Sequence, residues 1–499
     1  MNPPATPPGP ERRSVRITAQ ALTQVADCRR RLWLGHHTRP QMAPLPDHVL
    51  VLRERAREHE REVAARFPGI VGPVWRHEGS LADAAAETLR LLRETRTPIL
   101  RGALLSADGR RSALPGFLAW DGDSITVTEA RLALRPEARA DFALQLAHTR
   151  ALLEEVAGLT PSRFEIVNGN GETTSIEPAS AARWESVVHA VESTLAETSE
   201  PTELKGHSSC KRCPYYEHCW DMAERDGRIE LLPEVQAAHV PEYHAIGVHT
   251  LEQLVQLDPE RLPAGAMRGA AKKAIVVAGA WVDKRAAWLQ PPRLPEGPLV
   301  WFDLEGDSQG EKAENPIYLW GIALEHGGGD AVAEAIIAEL GPEGDRAAWE
   351  RFVARAGAIL DEHPGARWVH WDGYEPLWVQ RYAETLGAPE GFVKRVQAAC
   401  FDLKRVLDRC VRLPLRSYSI KHVAPWMGFE WRNPESGSEW SVAQFHRARL
   451  TEDPAERERL LAALVEYNED DLWAMRAVWR WLRENAPAGP ASAAAAPPA

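Results

Sequence analysis

The chain contains 499 residues, of which 44% are hydrophobic and 26% are charged, a composition typical of a folded protein of roughly two to four domains. Its formal net charge of −12 excludes a protein that coats nucleic acid non-specifically, although a local basic groove and bound cations still permit a nuclease. No apolar run is long enough to span a membrane, and the amino-terminal residues lack the apolar segment of a secretory signal, so we expect a cytoplasmic protein with no membrane partner.

The amino-terminal part of the chain mixes predicted helices with short strands. Helical periodicity marks three segments: 47–67, 81–94 and 136–157. A hairpin is expected where two strand-like runs flank the turn Asp121-Gly122-Asp123: 116–120 and 124–129. This mixture predicts an α/β domain.

Four of the six cysteines form a pattern typical of metal ligands. Cys210, Cys213 and Cys219 lie in one short segment, and Cys28 lies far upstream. Four thiolates bind either zinc in a tetrahedral site or an iron–sulfur cluster. A disulfide framework is not expected in a long cytosolic chain.

One cysteine before an α/β segment and a Cys-x2-Cys-x5-Cys group after it resemble the iron–sulfur clasp of RecB-like PD-(D/E)XK nucleases, including the CRISPR-associated ones. The segments Ile17-Thr-Ala-Gln-Ala-Leu22 and Arg29-Arg-Arg-Leu32 are also similar to the opening of that family. The resemblance implies a RecB-like domain over residues 15–225. It also implies a [4Fe–4S] cluster, with Zn²⁺ as the alternative, on four ligands: Cys28, Cys210, Cys213 and Cys219.

The same resemblance implies a first nuclease site that has degenerated. The family's His, Glu-x-Lys and Gln positions correspond to four residues: His59, Glu129, Arg131 and Gln145. Gly116 stands where the family has a metal-binding Asp, and Arg131 replaces a Lys whose proton chemistry an Arg cannot perform. We therefore expect a domain that binds nucleic acid and carries the cluster. The alternative is a weakly active site that uses Asp121 or Asp123.

Residues 226–288 are predicted to be a small helical domain. A turn at Gly247 precedes Thr250, which is placed to cap an apolar helix. This arrangement resembles a helix-hairpin-helix module, whose turn offers backbone N–H groups to phosphates, and a plain spacer is the alternative. The Pro-rich segment 289–298 is typical of a stiff linker.

The last third of the chain predicts strands that pair first and then alternate with helices. The strands are expected at 299–304, 317–324, 331–337 and 368–371, and the helices at 345–360, 375–386, 393–411 and 454–483. This order is typical of a ribonuclease-H-like sheet. Cys400 and Cys410 lie on the helix predicted at 393–411, where we expect inert core residues.

Acidic residues that are scattered along this segment converge if it folds in this way. Asp303 and Glu305 alternate on one strand and share a face, while Tyr467 and Asp471 share a helix face at a spacing of four. A further carboxylate, Glu375, follows another predicted strand. Oxygen-rich side chains around one point are ligands for two Mg²⁺ or Mn²⁺ ions, the apparatus of phosphodiester hydrolysis.

Residues 295–485 resemble the ribonuclease-H-like exonucleases of the DEDDy type, in particular the YprB-type domain that follows RecB-like modules. The resemblance implies two-metal hydrolysis in which Tyr467 orients the attacking water. The implied metal ligands are four carboxylates: Asp303, Glu305, Glu375 and Asp471. Glu375 departs from the Asp that the family has, and Asp372 is a competing candidate.

Other polar and aromatic residues of this region receive structural interpretations. Asp402 is expected to be structural or to support a ligand, and Asp470 is expected to be exposed because it points away from the Tyr467 face. Five Trp residues suit either base stacking or core packing, and packing is favoured: Trp371, Trp378, Trp426, Trp431 and Trp440.

Together these patterns predict a multidomain α/β nuclease with disordered tails over 1–14 and 486–499. The family resemblance, and not the composition, makes it a 3′–5′ exonuclease on DNA. One alternative is the same activity on RNA, since no residue pattern distinguishes the 2′-OH. The other is a non-catalytic, cluster-bearing scaffold for DNA repair. The chain has no P-loop motif, so unwinding would require a separate helicase partner.

Overall fold

The computed structural model describes residues 16–38, 47–76, 79–133, 140–211, 213–262, 265–307, 315–326, 329 and 331–487. The chain divides into two compact units. The amino-terminal unit comprises Met1–Leu45, Leu52–Lys205 and Cys210–Cys219, and the carboxyl-terminal unit comprises Pro46–Val51, Gly206–Ser209 and Trp220–Ala499. None of the described helices has the length and apolar character needed to cross a bilayer. The predicted disordered tails lie outside the described residues, except for residues 486 and 487.

The first part of the chain is a mixed α/β structure. Its helices are α1 Ala19–Asp27, α2 Arg29–His37, α3 Asp47–Ala64, α4 Leu81–Glu94, α5 Ala140–Ala157, α6 Ala181–Ala196, α7 His207–Cys210 and α8 Tyr216–Arg225. Its strands are β1 Ile17–Thr18, β2 Ile99–Leu100, β3 Leu104–Leu105, β4 Arg111–Ala113, β5 Phe117–Asp121, β6 Ser124–Ala130, β7 Arg163–Val167 and β8 Thr173–Ser175.

These strands form two sheets in the amino-terminal unit. One is five-stranded with the order β2-β5-β6-β7-β8, and the other has the order β1-β4-β3. The predicted hairpin is confirmed, because β5 and β6 pair in antiparallel register out to Asp121 and Ser124. Apolar side chains of α5, such as Leu146 and Leu152, share one core with Leu118 and Val127 of the larger sheet. The start of the helix predicted at 136–157 lies outside the described residues.

The helical stretch predicted at 226–288 contains α9 Val240–Ala245, α10 Leu251–Val255 and α11 Ala266–Asp283, with short 3₁₀ turns at Ile229–Leu231, Ala237–His239 and Pro259–Arg261. The predicted cap is confirmed: Thr250 and Gln253 form a reciprocal capping box at the start of α10. Gly247 adopts a positive φ of 82° in the turn before it. The helical character ends earlier than predicted, because Ala287–Trp288 is a short strand, β9.

The last part of the chain forms the second large sheet of the protein. Its strands are β10 Leu299–Gly306, β11 Ile317–Glu325, β12 Val332–Ile337, β13 Arg367–His370, β14 Cys400–Asp402 and β15 Val411–Arg412. Its helices are α12 Pro342–Glu362, α13 Tyr374–Leu386, α14 Phe392–Ala399, α15 Leu403–Cys410, α16 Ile420–Trp426, α17 Ser438–Leu450 and α18 Pro454–Asn485. The sheet order is β12-β11-β10-β13-β14, and β15 pairs separately with β9.

Helices cover both faces of this sheet, and β10 at its centre contributes to both cores. Successive residues of a strand point to opposite faces. Phe302 accordingly packs in the core formed with α12 to α14, whereas Trp301 packs in the core formed with α15, α16 and α18. Asp303 and Glu305 continue the Trp301 face, so the strand directs both carboxylates toward the α18 side of the sheet.

The prediction of one continuous helix over 393–411 is wrong, because a strand interrupts it. Cys400–Asp402 pairs in parallel register with β13, matching Phe401 to Val369. The side chain of Asp402 then caps α15 by accepting a hydrogen bond of 2.8 Å from the backbone N–H of Arg405. Asp402 is therefore structural, as expected, and Cys400 lies on a strand rather than a helix. Pairing with a distant strand outweighed a local helical pattern.

Candidate active site

Three carboxylates of the carboxyl-terminal unit converge between β10 and α18. One oxygen of each of Asp303, Glu305 and Asp471 lies within 4.8 Å of the others. Among the described residues, no other set of three or more Asp, Glu, His or Cys side chains meets this spacing. The strand supplies two of the oxygens through its alternation, and α18 supplies the third.

Burial and mutual repulsion dominate the electrostatics of this group. Burial, followed by the negative charge of Asp471, raises the pKa of Asp303 and of Glu305 well above the ordinary range. Burial also raises the pKa of Asp471, against the opposing effect of Lys421. Three carboxylates held this close, with one ammonium beside them, suit a hard divalent cation, which takes oxygen ligands and reduces the repulsion.

Neighbouring side chains hold each carboxylate by one of its oxygens. Asn468 donates to Asp303 Oδ2 at 2.7 Å, and Ser441 donates to Glu305 Oε2 at 2.8 Å. On the third carboxylate, Asp471 Oδ1 accepts from Trp431 Nε1 at 2.7 Å. These donors fix the directions in which the acids point.

Tyr467 lies one helical turn before Asp471 and is buried beside it. Burial, followed by the charge of Asp471, raises the pKa of Tyr467 well above its ordinary value, so the phenol keeps its proton. The two side chains are close enough for each to affect the pKa of the other. The sequence-predicted pair on α18 is therefore brought to the carboxylates of β10.

Lys421 of α16 lies against the three-carboxylate group, beside Asp471. Its Nζ lies 3.1 Å from Asp471 Oδ1, and it stands over two rings, 3.9 Å from the centre of Trp431 and 4.2 Å from that of Tyr467. Burial lowers the pKa of this lysine, whereas the charges of Asp471, Glu305 and Asp303 act in the opposite direction.

Glu375 is not part of the three-carboxylate group. It is buried in the first turn of α13, and its Oε2 lies 3.4 Å from His370 Nδ1. Burial alone would lower the pKa of His370. Contacts with Cys400 and Glu375 outweigh this effect and raise the pKa of His370 to about 10. The charge of Glu375 still acts on Asp303 and Glu305, so it lies at the edge of the site.

Two further acidic residues, Asp372 and Asp470, lie outside the three-carboxylate group and bind basic side chains. Asp372, the competing candidate for Glu375, binds Lys404 and accepts from the Gly373 N–H at 2.9 Å. The expectation that Asp470 is exposed is wrong: it is 5% exposed and accepts from the backbone N–H and the Nε of Arg432 at 2.9 and 2.7 Å. The segment that carries Trp431 and Arg432 is thus bound to α18 through both acids.

The sequence analysis missed the residues that support the carboxylates. Asn468 follows Tyr467 directly, so its place in the motif was the one available signal. Lys421 lies in a segment without an acidic pattern, and Trp431 stood out only as an aromatic residue. Ser441 gave no signal, because a lone Ser on a helix is common and only the tertiary fold brings it to Glu305.

In the amino-terminal unit, three of the four residues of the predicted first site converge. Arg131 Nη2 lies 3.1 Å from Glu129 Oε2 and donates to Gln145 Oε1 at 3.2 Å. Glu129 also accepts from the Gly116 N–H at 3.0 Å. His59 instead contacts the Val167 carbonyl at 3.0 Å, which also accepts from the Arg131 N–H. A cavity of about 350 Å³ opens onto Glu129, Arg131 and Gln145.

The four predicted cluster ligands are half-buried free thiols of the same unit. Burial raises the pKa of Cys28 and Cys213, and it raises that of Cys219 to about 12. The thiols are close enough for Cys210 to act on Cys28 and for Cys28 to act on Cys219. Their sulfurs do not reach the mutual 4.8 Å spacing of the carboxylate group.

Comparison with known families agrees with the fold of the carboxyl-terminal part. Residues 300–483 match the model of the RNase_H superfamily. No curated protein matches the chain. The matched range begins in β10 and ends in α18, so it contains both elements that carry the three carboxylates. The protein therefore contains an RNase H-like domain, a fold that supports a nuclease-type hydrolase.

Substitution of Gly321 would test how Asn468, which holds Asp303, is packed. Gly321 pairs with Asp303 across β10 and β11, and a Cβ at this position would lie 1.8 Å from Asn468 Oδ1. We expect Gly321→Ala to displace Asn468 from Asp303 and to lower the free energy of unfolding by about 1–3 kcal/mol through overpacking. The thermal unfolding midpoint measures this loss.

The matched control is Gly357→Ala on α12, where an added Cβ meets no atom within 4 Å. In a helix this change should be neutral or slightly stabilising. Equal midpoints for Gly321→Ala and the wild type would contradict the packing described for Asn468.

Proposed function

We propose that the protein is a metal-dependent nuclease that hydrolyses phosphodiester bonds as a 3′–5′ exonuclease on DNA. The observation that carries the proposal is the convergence of Asp303, Glu305 and Asp471 beside Tyr467, within a domain that matches the RNase_H superfamily. The direction of cleavage and the preference for DNA rest on the resemblance to DEDDy exonucleases.

The residues present fit divalent cations. Buried carboxylates that raise one another's pKa are a donor set for Mg²⁺ or Mn²⁺. When bound, such ions stabilise negative charge on phosphate oxygens and lower the pKa of a water molecule. Asp303, Glu305 and Asp471 would hold them. Glu375 would join as a fourth ligand by exchanging its contact with His370 for the cation.

Tyr467 and the supporting donors prepare the site for an incoming phosphate. Because its phenol keeps its proton, Tyr467 can donate a hydrogen bond to the attacking water or to a phosphate oxygen. Asn468, Ser441 and Trp431 keep the carboxylates oriented before substrate arrives, which reduces the reorganisation needed for the reaction.

The amino-terminal unit would bind nucleic acid and carry a cofactor without cleaving. The guanidinium of Arg131 pairs with Glu129 as a fixed positive charge, and Gly116 supplies no side-chain carboxylate, which together disfavour a metal ion there. For the thiols, tetrahedral zinc with Zn–S bonds of about 2.3 Å would bring the sulfurs to within about 4 Å of one another. A [4Fe–4S] cluster separates four thiolates by its irons, and the family resemblance of the cysteine pattern favours it over zinc.

Asp303→Ala tests the proposed cleavage site. Removing a central ligand should lower the rate of Mn²⁺-dependent degradation by about 10²-fold or more, as loss of a key charge-stabilising group does in other enzymes. Strands of DNA and of RNA labelled at either end would report the substrate and the direction. Asp372→Ala is the matched control, because it removes a neighbouring carboxylate bound to Lys404. Undiminished activity of Asp303→Ala would place cleavage elsewhere.

Glu129→Gln tests the first site. Since this carboxylate is already occupied by Arg131 and the Gly116 N–H, we expect the cleavage rate to stay within about twofold of the wild type. The same end-labelled assay measures it. A loss as large as that of Asp303→Ala would mean that the amino-terminal unit cleaves.

The visible spectrum of anaerobically purified protein tests the cofactor. We expect the broad absorption of an iron–sulfur cluster, lost in Cys28→Ser and retained in Cys400→Ser, since Cys400 lies in the other unit. Colourless protein that contains one equivalent of zinc would contradict the cluster and favour the alternative metal.

A further inference from the structure

The cavity of about 350 Å³ in the amino-terminal unit lies outside the proposed cleavage site. The start of α1, the end of β6 and α5 contribute to its wall through Ala19, Glu129, Arg131 and Gln145. Its volume is at the lower end of the range for small-molecule sites, about 300–1,000 Å³. The cavity therefore suits a ligand group about the size of one planar ring system.

Arg131 and Gln145 supply hydrogen-bond donors to the wall of this cavity. A guanidinium carries N–H groups on Nε, Nη1 and Nη2, and among the described residues the side-chain hydrogen bonds and ion pairs of Arg131 use Nη2 alone. The Gln145 carbonyl oxygen accepts from Arg131 at 3.2 Å, which leaves its NH₂ group for a ligand. Both oxygens of Glu129 have partners, Arg131 and the Gly116 N–H. A ligand that fits this wall must therefore bring acceptors.

The charge and the apolar part of the lining indicate a neutral ligand. The ion pair with Glu129 balances the charge of Arg131, and the other described residues that line the cavity carry no charge. Phe142, Leu146 and Ile166 form the apolar part of the wall, and each is at most 8% exposed. A phosphate would lose its hydration to bring a charge that this wall does not balance. A nucleobase is neutral, apolar on its faces and provided with acceptors at its edge.

Leu114 lines the same cavity and is 45% exposed, which places it at the opening. An exposed leucine alone needs no functional explanation. Beside a cavity lined with donors, however, it can pack against a neighbouring base, as apolar side chains do when they separate stacked bases. The opening thus offers an apolar contact to the nucleotide that adjoins the bound one.

We propose that this cavity binds one unpaired base of a nucleic-acid strand, with Arg131 and Gln145 donating to acceptors on the edge of the base. The inference rests on the proposed function, in which the amino-terminal unit binds nucleic acid without cleaving it. The ion pair that disfavours a metal ion is also what makes the cavity neutral. Guanine should bind best, because an arginine can contact its O6 and N7 together.

A strand with a single base tests the proposal without measuring cleavage. The full-length protein would be titrated, without added divalent cations, with a fluorescein-labelled single strand that is abasic throughout and with the same strand carrying one guanine. The two strands have equal numbers of phosphates, so the difference in affinity reports the base alone. Fluorescence anisotropy should give a dissociation constant at least about fivefold lower for the strand with guanine.

Two tryptophan substitutions on α1 locate the effect. Ala19 lines the cavity, so Ala19→Trp should fill it and remove the advantage of the strand with guanine. Ala26, further along the same helix, is exposed and lies outside the cavity lining. Ala26→Trp is therefore the matched control and should keep the advantage. A guanine advantage that persists in a folded Ala19→Trp, or that is absent from the wild type, would overturn the proposal.

Photo-cross-linking keeps the wild type decisive even if Ala19→Trp does not fold. One 5-iodouracil in place of the guanine, irradiated in the complex, should become attached to a peptide that contains Leu114 or Phe142, which mass spectrometry would identify. Cross-links confined to other parts of the chain would contradict a base bound in this cavity.

Failure of the underlying function gives a different result. If the wild type binds neither strand, the amino-terminal unit is not a nucleic-acid-binding unit, and both that part of the proposed function and the base cavity are wrong. If it binds the two strands equally, nucleic-acid binding stands and the inference about the cavity fails.

Discussion

Repulsion among three crowded carboxylates, of which Glu305 and Asp471 are buried and Asp303 is half-buried, is the constraint on which the carboxyl-terminal unit depends. Asp303, Glu305 and Asp471 are crowded at the centre of a sheet, where burial already disfavours their charged forms. A fold can keep such a group only if the surrounding structure is rigid. Aromatic packing on both faces of the sheet provides that rigidity: Trp320 stacks on Phe352 under one face, and Trp301 contacts Trp479 under the other. Each fully buried large apolar side chain contributes about 1.5–3 kcal/mol relative to exposure, which offsets the cost of the acids.

The two candidate sites of the chain differ in the number of carboxylates that lie beside one basic side chain. In the amino-terminal unit one guanidinium, that of Arg131, forms an ion pair with one carboxylate, that of Glu129. In the carboxyl-terminal unit one ammonium, that of Lys421, lies beside a group of three carboxylates and is within 3.1 Å of only one of them, Asp471. Under the proposed function, this difference disfavours a metal in the amino-terminal unit and leaves carboxylate oxygens for one in the carboxyl-terminal unit.

Local patterns predicted the central elements of this site but not their supports. The alternation of β10 and the four-residue spacing of Tyr467 and Asp471 are local properties, and the fold preserves both. The break in the helix predicted at 393–411 depends on pairing with β13, which no local pattern contains. The motif predicts Glu375 as a ligand, whereas the structure pairs it with His370, which lies only five residues before it in the same segment. Ser441, Trp431 and Lys421 reach the acids only through packing of α16, α17 and the segment between them against α18, so the sequence could not assign them.

Anomalous scattering from a crystal grown with Mn²⁺ would test the central claim most directly, because it locates the ions independently of any assay. We predict a manganese peak bound by Asp303, Glu305 and Asp471, with Tyr467 beside it and Lys421 still on Asp471. A structure in which manganese binds elsewhere, or in which these three carboxylates point away from one another, would contradict the account.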